Sequence, residues 1–154
     1  MKILKSDGDK FTFQISKREK RLLLDILDLY PLVPGFVQPL SKTANPAEIQ
    51  ADQRLLEESL AAHQQENKRQ LGAIINEINR SPESTDGGRF SLTSEQMEGL
   101  LQVLNDIRVG SWRRLGSPDA ARKKAIELNE QNARHAWAME VAGLFQMALL
   151  SVRN

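Results

Sequence analysis

The stretch WAMEVAGLFQMALL, residues 137–150, constrains the fold of this chain more than any other part of the sequence. Projected at helical spacing it is apolar on nearly every side, a distribution that is typical of a helix covered by other elements. The longest nearly apolar run, residues 141–152, is too short to span a bilayer. The sequence therefore predicts a central helix that neighbouring elements surround.

The composition is that of an ordinary globular domain. The 154 residues are 40% hydrophobic and 27% charged, which is enough to bury a core, so we predict one domain over residues 1–154. The absence of cysteine excludes disulfides and thiolate metal ligands, and a net charge of +1 gives no global attraction to nucleic acid or to a membrane. The start MKILKSDGDK lacks the apolar run of a signal peptide, so we expect a cytoplasmic protein.

Residues 1–15 have the alternating pattern of a β-hairpin. Apolar and polar residues alternate on both sides of the turn-forming sequence Asp-Gly-Asp at 7–9. A three-residue loop there would pair Ile3 with Phe13 and Met1 with Ile15, and would place the apolar side chains on one face.

Residues 16–154 carry the start and stop signals of four helices. Ser16 with Glu19 and Thr93 with Gln96 are capping boxes, and Asn45-Pro46 is a third helix start. The predicted helices run from Ser16 to about Tyr30, from Asn45 to Arg80, from Thr93 to about Leu115, where Gly116 ends the third, and from Ser117-Pro118 almost to the C-terminus. The predicted fold is mainly α: a four-helix array with a small N-terminal β-hairpin.

Two segments of the chain resemble each other. Starting at Asp7 and at Asp86, each has Asp-Gly, then a basic residue, Phe, a hydroxyl residue and an apolar residue, followed by a helix cap. With two residues gapped, this pattern suggests an internal two-fold repeat of strand and helix, although capped amphipathic helices also resemble one another by chance. The sequence RFSL, residues 89–92, either adds a short third strand or remains in the preceding loop.

Arg108 stands where helical spacing calls for an apolar residue. On the third helix it lies within the arc of Leu104 and Ile107, whereas Asp106 points away from that arc, toward solvent. Glu140 is the one acid in the apolar fourth helix, and a buried carboxylate needs a partner such as a guanidinium. We therefore predict a structural ion pair between Arg108 and Glu140; contact with a ligand or partner, or an arginine stem lying along apolar surface, are the alternatives.

A second stripe of the third helix carries two glycines. Gly99, Val103 and Gly110 lie on one side of it, and glycine inside a helix costs about 1 kcal/mol relative to alanine. Close approach of another helix would explain them, and so would tolerated surface glycine. Together with the apolar fourth helix, this stripe makes a homodimer interface the favoured interpretation.

The corner between the third and fourth helices is basic. Residues 113–124 contain one acid and five basic residues that could contact an anion or a partner, namely Arg113, Arg114, Arg122, Lys123 and Lys124. The corner also superficially resembles a helix-turn-helix, but the flanking helices are long and the overall charge is near neutral. A solvated basic corner is the simpler interpretation, and nucleic acid is not the expected partner.

The segment LNDIRVGSWRRLG, residues 104–116, resembles the signature of a bacterial family catalogued as domain of unknown function 2017. The matching residues are Leu104, Asn105, Asp106, Arg108, Arg114, Leu115 and Gly116. Resemblance extends to a Leu-rich helix in 11–30, a proline-containing connector in 31–45 and an apolar helix in 134–152, whereas GSW departs from the expected aliphatic residues. The resemblance implies a regulatory role linked to the Clp protease adaptor system, and it implies no catalytic residue.

No catalytic or cofactor motif occurs in the sequence. It contains no Glu-x-x-His, no phosphate-binding glycine loop and no Gly-x-Ser-x-Gly, and His63 and His135 are its two histidines. We expect no cofactor and no enzymatic activity. The predicted function is a protein-interaction or regulatory module that forms a homodimer; the alternative is a nucleic-acid-binding regulator that uses residues 113–124.

Overall fold

The computed structural model describes residues 1–32, 46–81, 87–118 and 129–153. These ranges contain a three-stranded antiparallel sheet, four α-helices and a short C-terminal 3-10 helix. The elements are β1 (Lys2–Asp7), β2 (Lys10–Ile15), α1 (Lys17–Leu27), α2 (Pro46–Arg80), β3 (Gly88–Thr93), α3 (Ser94–Arg114), α4 (Ala133–Leu150) and the 3-10 helix Ser151–Arg153. The mainly α fold with an N-terminal hairpin is confirmed, and RFSL lies in a third strand.

The hairpin has the predicted pairing of Ile3 with Phe13 but a different turn. Asp7 pairs with Lys10, so the loop is the two residues Gly8 and Asp9 rather than the three we predicted. The register shifts between Ile3 and Lys5, and this irregularity compensates for the shorter loop. The apolar residues do not all share one environment, because Phe13 is buried whereas Ile3 is exposed.

Strand β2 lies at the centre of the sheet and pairs with β3 along its whole length. Phe13 stacks on Phe90 with ring centroids 5.5 Å apart, and the hydroxyls of Thr12 and Ser91 share a hydrogen bond of 2.9 Å. Thr12 pairs with Ser91, and a local two-fold axis through that pair relates residues 11–13 to residues 90–92. These are the two Phe-hydroxyl-apolar sequences that resemble each other. The relation covers the strands, while α1 has 11 residues and α3 has 21.

Both predicted capping boxes are present. The hydroxyl of Ser16 accepts a hydrogen bond from the Glu19 amide and the Glu19 carboxylate accepts one from the Ser16 amide; Thr93 and Gln96 form the same pair of bonds. Each cap therefore satisfies donors that a helix start leaves without partners.

Helix α2 has 35 residues, and only its C-terminal part contributes to the core. Leu71, Ile74 and Ile78 are buried, whereas most of the preceding half is exposed and Leu55 retains 64% of its accessible surface. Residues 63–70, the polar centre of the helix, are exposed or half-buried. The core combines residues from β2, β3 and all four helices, and its fully buried large side chains are Phe13, Ile15, Leu23, Ile26, Leu27, Ile74, Ile78, Leu92, Met97, Leu100, Leu104 and Ile107.

Helix α4 differs from the prediction in its start and in its coverage. It begins at Ala133, not at Ser117-Pro118, and residues 119–128 lie outside the described ranges. Its buried side consists of Ala138, Ala142, Phe145 and Leu149, and the opposite side is exposed. The prediction that neighbouring elements surround this helix is therefore wrong for about half of its circumference. Within the described residues, no helix is long and apolar enough to cross a membrane.

Candidate interaction site

An apolar groove runs along the exposed side of α4. Its lining comes from α4 and one side chain of α3, and comprises Arg108, Met139, Glu140, Gly143, Leu144 and Met147. We call these six residues the α4 surface. Leu144 and Met147 keep 66% and 70% of their accessible surface, which is unusual for large apolar side chains on one helix face. The α4 surface is consequently the candidate site for a protein partner.

Arg108 joins α3 to α4, but its partner is not the one predicted. Its Nη1 donates a hydrogen bond of 3.2 Å to Oε1 of Gln146, which is buried on α4. Glu140 is exposed, so no buried carboxylate requires a cation, and the predicted Arg108–Glu140 ion pair is wrong. An uncharged amide can be buried against α3 at a lower desolvation cost than a carboxylate, which accounts for the difference.

The two charges of the α4 surface nevertheless share one groove. Arg108 and Glu140 are both exposed, and Glu140 forms no salt bridge with any other residue that the structure describes. Arg108 reaches α4 at Gln146, six residues after Glu140, a separation of about 9 Å along the helix axis. The α4 surface therefore carries one cation and one anion beside its exposed apolar side chains.

The predicted interface stripe on α3 lies inside the chain. Gly99, Val103 and Gly110 are all buried, so the expected homodimer contact through them is wrong. A Cβ added at Gly99 would stand 2.4 Å from Oε1 of Gln70, a residue of α2. The space beside Gly99 is thus occupied by a flexible side chain of α2, which belongs to the same chain.

Asp106 holds the chain segment that follows α1, contrary to the prediction that it faces solvent. Its Oδ1 accepts a 2.8 Å hydrogen bond from the amide of Leu32, in a half-buried position. Nearby, burial raises the pKa of Tyr30; a hydrogen bond with Asn67 opposes that shift, and the negative charge of Asp106 adds to it. This polar cluster attaches the segment after α1 to α3 and α2.

The end of α3 is shaped by the residues of the LNDIRVGSWRRLG segment. Gly116 has φ of +87°, and its amide donates to the carbonyl of Arg113 while that of Ser117 donates to the carbonyl of Trp112. These two bonds form a Schellman motif, and the indole of Trp112 adds a 2.9 Å bond to the carbonyl of Pro118. The predicted helix end at Gly116 is confirmed.

The motif residues do not converge on one site. Leu104 is buried in the core, Leu115 is half-buried, and Asn105, Arg108, Arg114 and Gly116 are exposed. Asp106 and Arg108 make different contacts, one with the segment after α1 and the other with α4. Their arrangement supports helix packing and offers no shared pocket for a substrate.

The described part of the basic corner contains exposed Arg113 and Arg114, whereas Arg122, Lys123 and Lys124 lie outside the described residues. Burial lowers the pKa of His135, and the positive charges of Arg114 and Arg134 lower it further. Two arginines from α3 and α4 thus contribute to a positive potential at the start of α4, which an anion could use.

No group of three or more acidic, histidine or cysteine side chains that could hold a metal ion occurs in the described ranges. Gln146, which contacts Arg108, and Gly143, which lies in the α4 surface, were not predicted from the sequence. Gln146 had a detectable signal, because it is the polar residue inside the apolar run 141–150.

Comparisons with protein-family models, curated proteins and solved structures found no match to this chain. The resemblance to domain of unknown function 2017 stays a prediction.

Proposed function

We propose that this chain is a non-enzymatic protein-interaction module that binds its partner through the α4 surface. The observation that carries the proposal is the exposure of Leu144 and Met147 in a groove flanked by opposite charges. Fully burying one such side chain contributes about 1.5–3 kcal/mol, so the two contribute about 2–4 kcal/mol at their present exposure. That contribution is of the size found for the central residues of protein interfaces.

The wider role rests on the sequence and on its family resemblance. We propose a bacterial regulatory protein of the cytoplasm, connected with the Clp adaptor and proteolysis system, that forms a homodimer. The resemblance supplies the regulatory context, and the exposed apolar side of α4 supports the need for a protein partner.

A nucleic-acid-binding regulator is the second candidate. The observation in its favour is the positive potential that Arg114 and Arg134 contribute around His135, with Arg113 exposed beside them. Binding through such a corner would depend on phosphate contacts and would weaken steeply with salt.

Site-specific photo-crosslinking can test the proposal. A photoreactive residue replaces Leu144 in one variant and Leu55 in a matched control; both leucines are exposed to a similar extent, 66% and 64%, but lie on different helices. In an extract of the cells that naturally express the chain, we expect a polypeptide adduct from position 144 that persists after nuclease treatment.

Equal adducts from both positions, or none from position 144, would contradict binding through the α4 surface. If adducts at 144 disappear after nuclease treatment, and the purified chain binds duplex DNA in a salt-dependent way that Arg113→Gln and Arg114→Gln weaken, the second candidate replaces the first.

A further inference from the structure

We propose that the end of α3 and the start of α4 form a binding site for a small phosphate monoester. Its residues, which we call the arginine site, are Arg113, Arg114, Arg134 and His135. The arginine site shares no residue with the α4 surface, so this inference goes beyond the proposed function and does not depend on it. It also differs from the second candidate function, in which the corner binds the phosphates of a polymer.

The three guanidinium groups of the arginine site are exposed and have no acidic partner. In the described ranges, none of them takes part in a salt bridge. The preceding acid on α3 is Asp106, about 12 Å along the helix axis from Arg114, and its Oδ1 accepts the amide of Leu32. Glu130, four residues before Arg134, is exposed and forms no ion pair with it. Like charges thus lie together without a counter-charge from the chain, an arrangement that an anionic ligand stabilises.

The imidazole of His135 connects the charges of the two helices. Burial lowers the pKa of His135, and the positive charges of Arg114 on α3 and Arg134 on α4 lower it further. Both guanidinium groups therefore lie near one ring. Its Nδ1 is buried and forms no hydrogen bond, whereas the residue as a whole is half-buried, so Nε2 is the ring nitrogen that can reach a ligand.

A cavity beside the arginines has room for the organic part of an ester. Its volume is about 310 Å³, and its lining consists of Leu32, Gly110, Arg113 and Arg114. Sites for small molecules begin at about this volume and combine apolar walls with a few polar groups. Leu32 supplies the apolar contact, and Gly110 has no side chain to fill the space. An inorganic anion bound to the arginines would leave this cavity unused.

The donors of the arginine site match the chemistry of a phosphate monoester. Such a group carries about −1.5 to −2 charges near neutral pH and has three acceptor oxygens. Guanidinium groups bind phosphate oxygens through pairs of parallel hydrogen bonds. A carboxylate offers one charge and two oxygens, which neutralises less of the cluster. Duplex DNA depends on many phosphate contacts along an extended surface, whereas these four residues lie at one corner.

Titration calorimetry with phenyl phosphate as the probe tests the proposal. We expect saturable binding to the wild-type chain with a dissociation constant below about 1 mM. Arg114→Gln and Arg134→Gln should each weaken binding at least about tenfold, because each variant removes charge-assisted hydrogen bonds. Arg54→Gln, at an exposed position on α2, is the matched control and should bind phenyl phosphate like the wild type. Absence of saturable binding, or equal losses in Arg54→Gln and Arg114→Gln, overturns the proposal.

Three other titrants distinguish the possible sources of the anion. Inorganic phosphate should bind more weakly than phenyl phosphate, because it makes no contact with Leu32; equal affinity overturns the assignment of a monoester. An oligoglutamate peptide that binds more tightly than phenyl phosphate overturns it as well. Duplex DNA that binds when phenyl phosphate does not would overturn the proposal in favour of the second candidate function.

Nuclear magnetic resonance locates the bound probe. The chain has two histidines, His135 in the arginine site and His63 on α2. At constant pH, phenyl phosphate should shift the imidazole signals of His135 and leave those of His63 in place. Because the bound anion offsets the charges of Arg114 and Arg134, it should also raise the pKa of His135. Calorimetric binding without any response of His135 overturns the placement of the ligand, and leaves binding through the α4 surface standing.

Discussion

Gly87→Ala tests the junction between β2, β3 and α1. Gly87 precedes β3, has φ of +93° and is buried. A Cβ at this position would stand 2.2 Å from the carbonyl oxygen of Ile15 and 3.0 Å from the Cα of Ser16. Both are main-chain atoms, so no side-chain rotation can relieve the overlap and the two backbone segments must separate.

The expected cost has two parts. A positive φ costs an L-residue other than glycine about 1–2 kcal/mol. Moving Gly87 away from Ile15 also disturbs the end of the ladder, where Ile15 pairs with Gly88, and Ser16, which caps α1. One ladder hydrogen bond and part of a helix cap contribute about 1 kcal/mol each, so Gly87→Ala should lower the free energy of unfolding by about 3–4 kcal/mol.

Gly8→Ala is the matched control. Gly8 also has a positive φ, +59°, but a Cβ there would meet no atom within 4 Å. The control should therefore lose only the conformational part, about 1–2 kcal/mol. Urea denaturation followed by circular dichroism measures both variants. Equal losses for Gly87→Ala and Gly8→Ala would refute the close approach of Gly87 to Ile15.

Two further perturbations test the contacts of α3 and the charge around His135. Asp106→Ala should lower the free energy of unfolding by about 1–2 kcal/mol, because it removes the acceptor of the Leu32 amide. Asn105→Ala, at an exposed neighbouring position, is the control and should leave the free energy of unfolding unchanged. Equal urea midpoints for the two variants would contradict the contact between Asp106 and Leu32. Burial and the charges of Arg114 and Arg134 lower the pKa of His135 in the folded chain. As the pH falls below about 6.5, the unfolded chain therefore binds more protons than the folded chain. The free energy of unfolding should consequently decrease as the pH falls through that range. His135→Gln should reduce this decrease, and identical pH profiles for the wild type and His135→Gln would contradict the assignment of the decrease to His135.

Local signals in the sequence predicted most of the elements. The capping boxes at Ser16 and Thr93 and the glycine at 116 determine helix ends through hydrogen bonds between near neighbours, so they can be recognised without tertiary information. The hairpin turn was less predictable. Loops of two or three residues both fit Asp-Gly-Asp, and a register shift near Leu4 makes the shorter loop compatible with the Ile3–Phe13 pair.

The partners of the polar residues on α3 depended on long-range geometry. The positions of Arg108 and Asp106 on a helical wheel indicate a direction but not which element lies there. Arg108 contacts Gln146, 38 residues away, and Asp106 contacts Leu32, 74 residues away. The prediction for Arg108 favoured Glu140 because of its charge, whereas burial favours the amide, which has a smaller desolvation cost.

Only one side of α4 is buried, so this apolar helix can contribute to the core and still offer an apolar side to a partner. Its sequence is apolar on nearly every side, yet the structure buries only the side of Ala138, Ala142, Phe145 and Leu149. If folding of one chain were the only requirement, Leu144 and Met147 could be polar at little cost to stability, because they are exposed in the subunit. Their apolar character is accounted for when a second protein surface covers them.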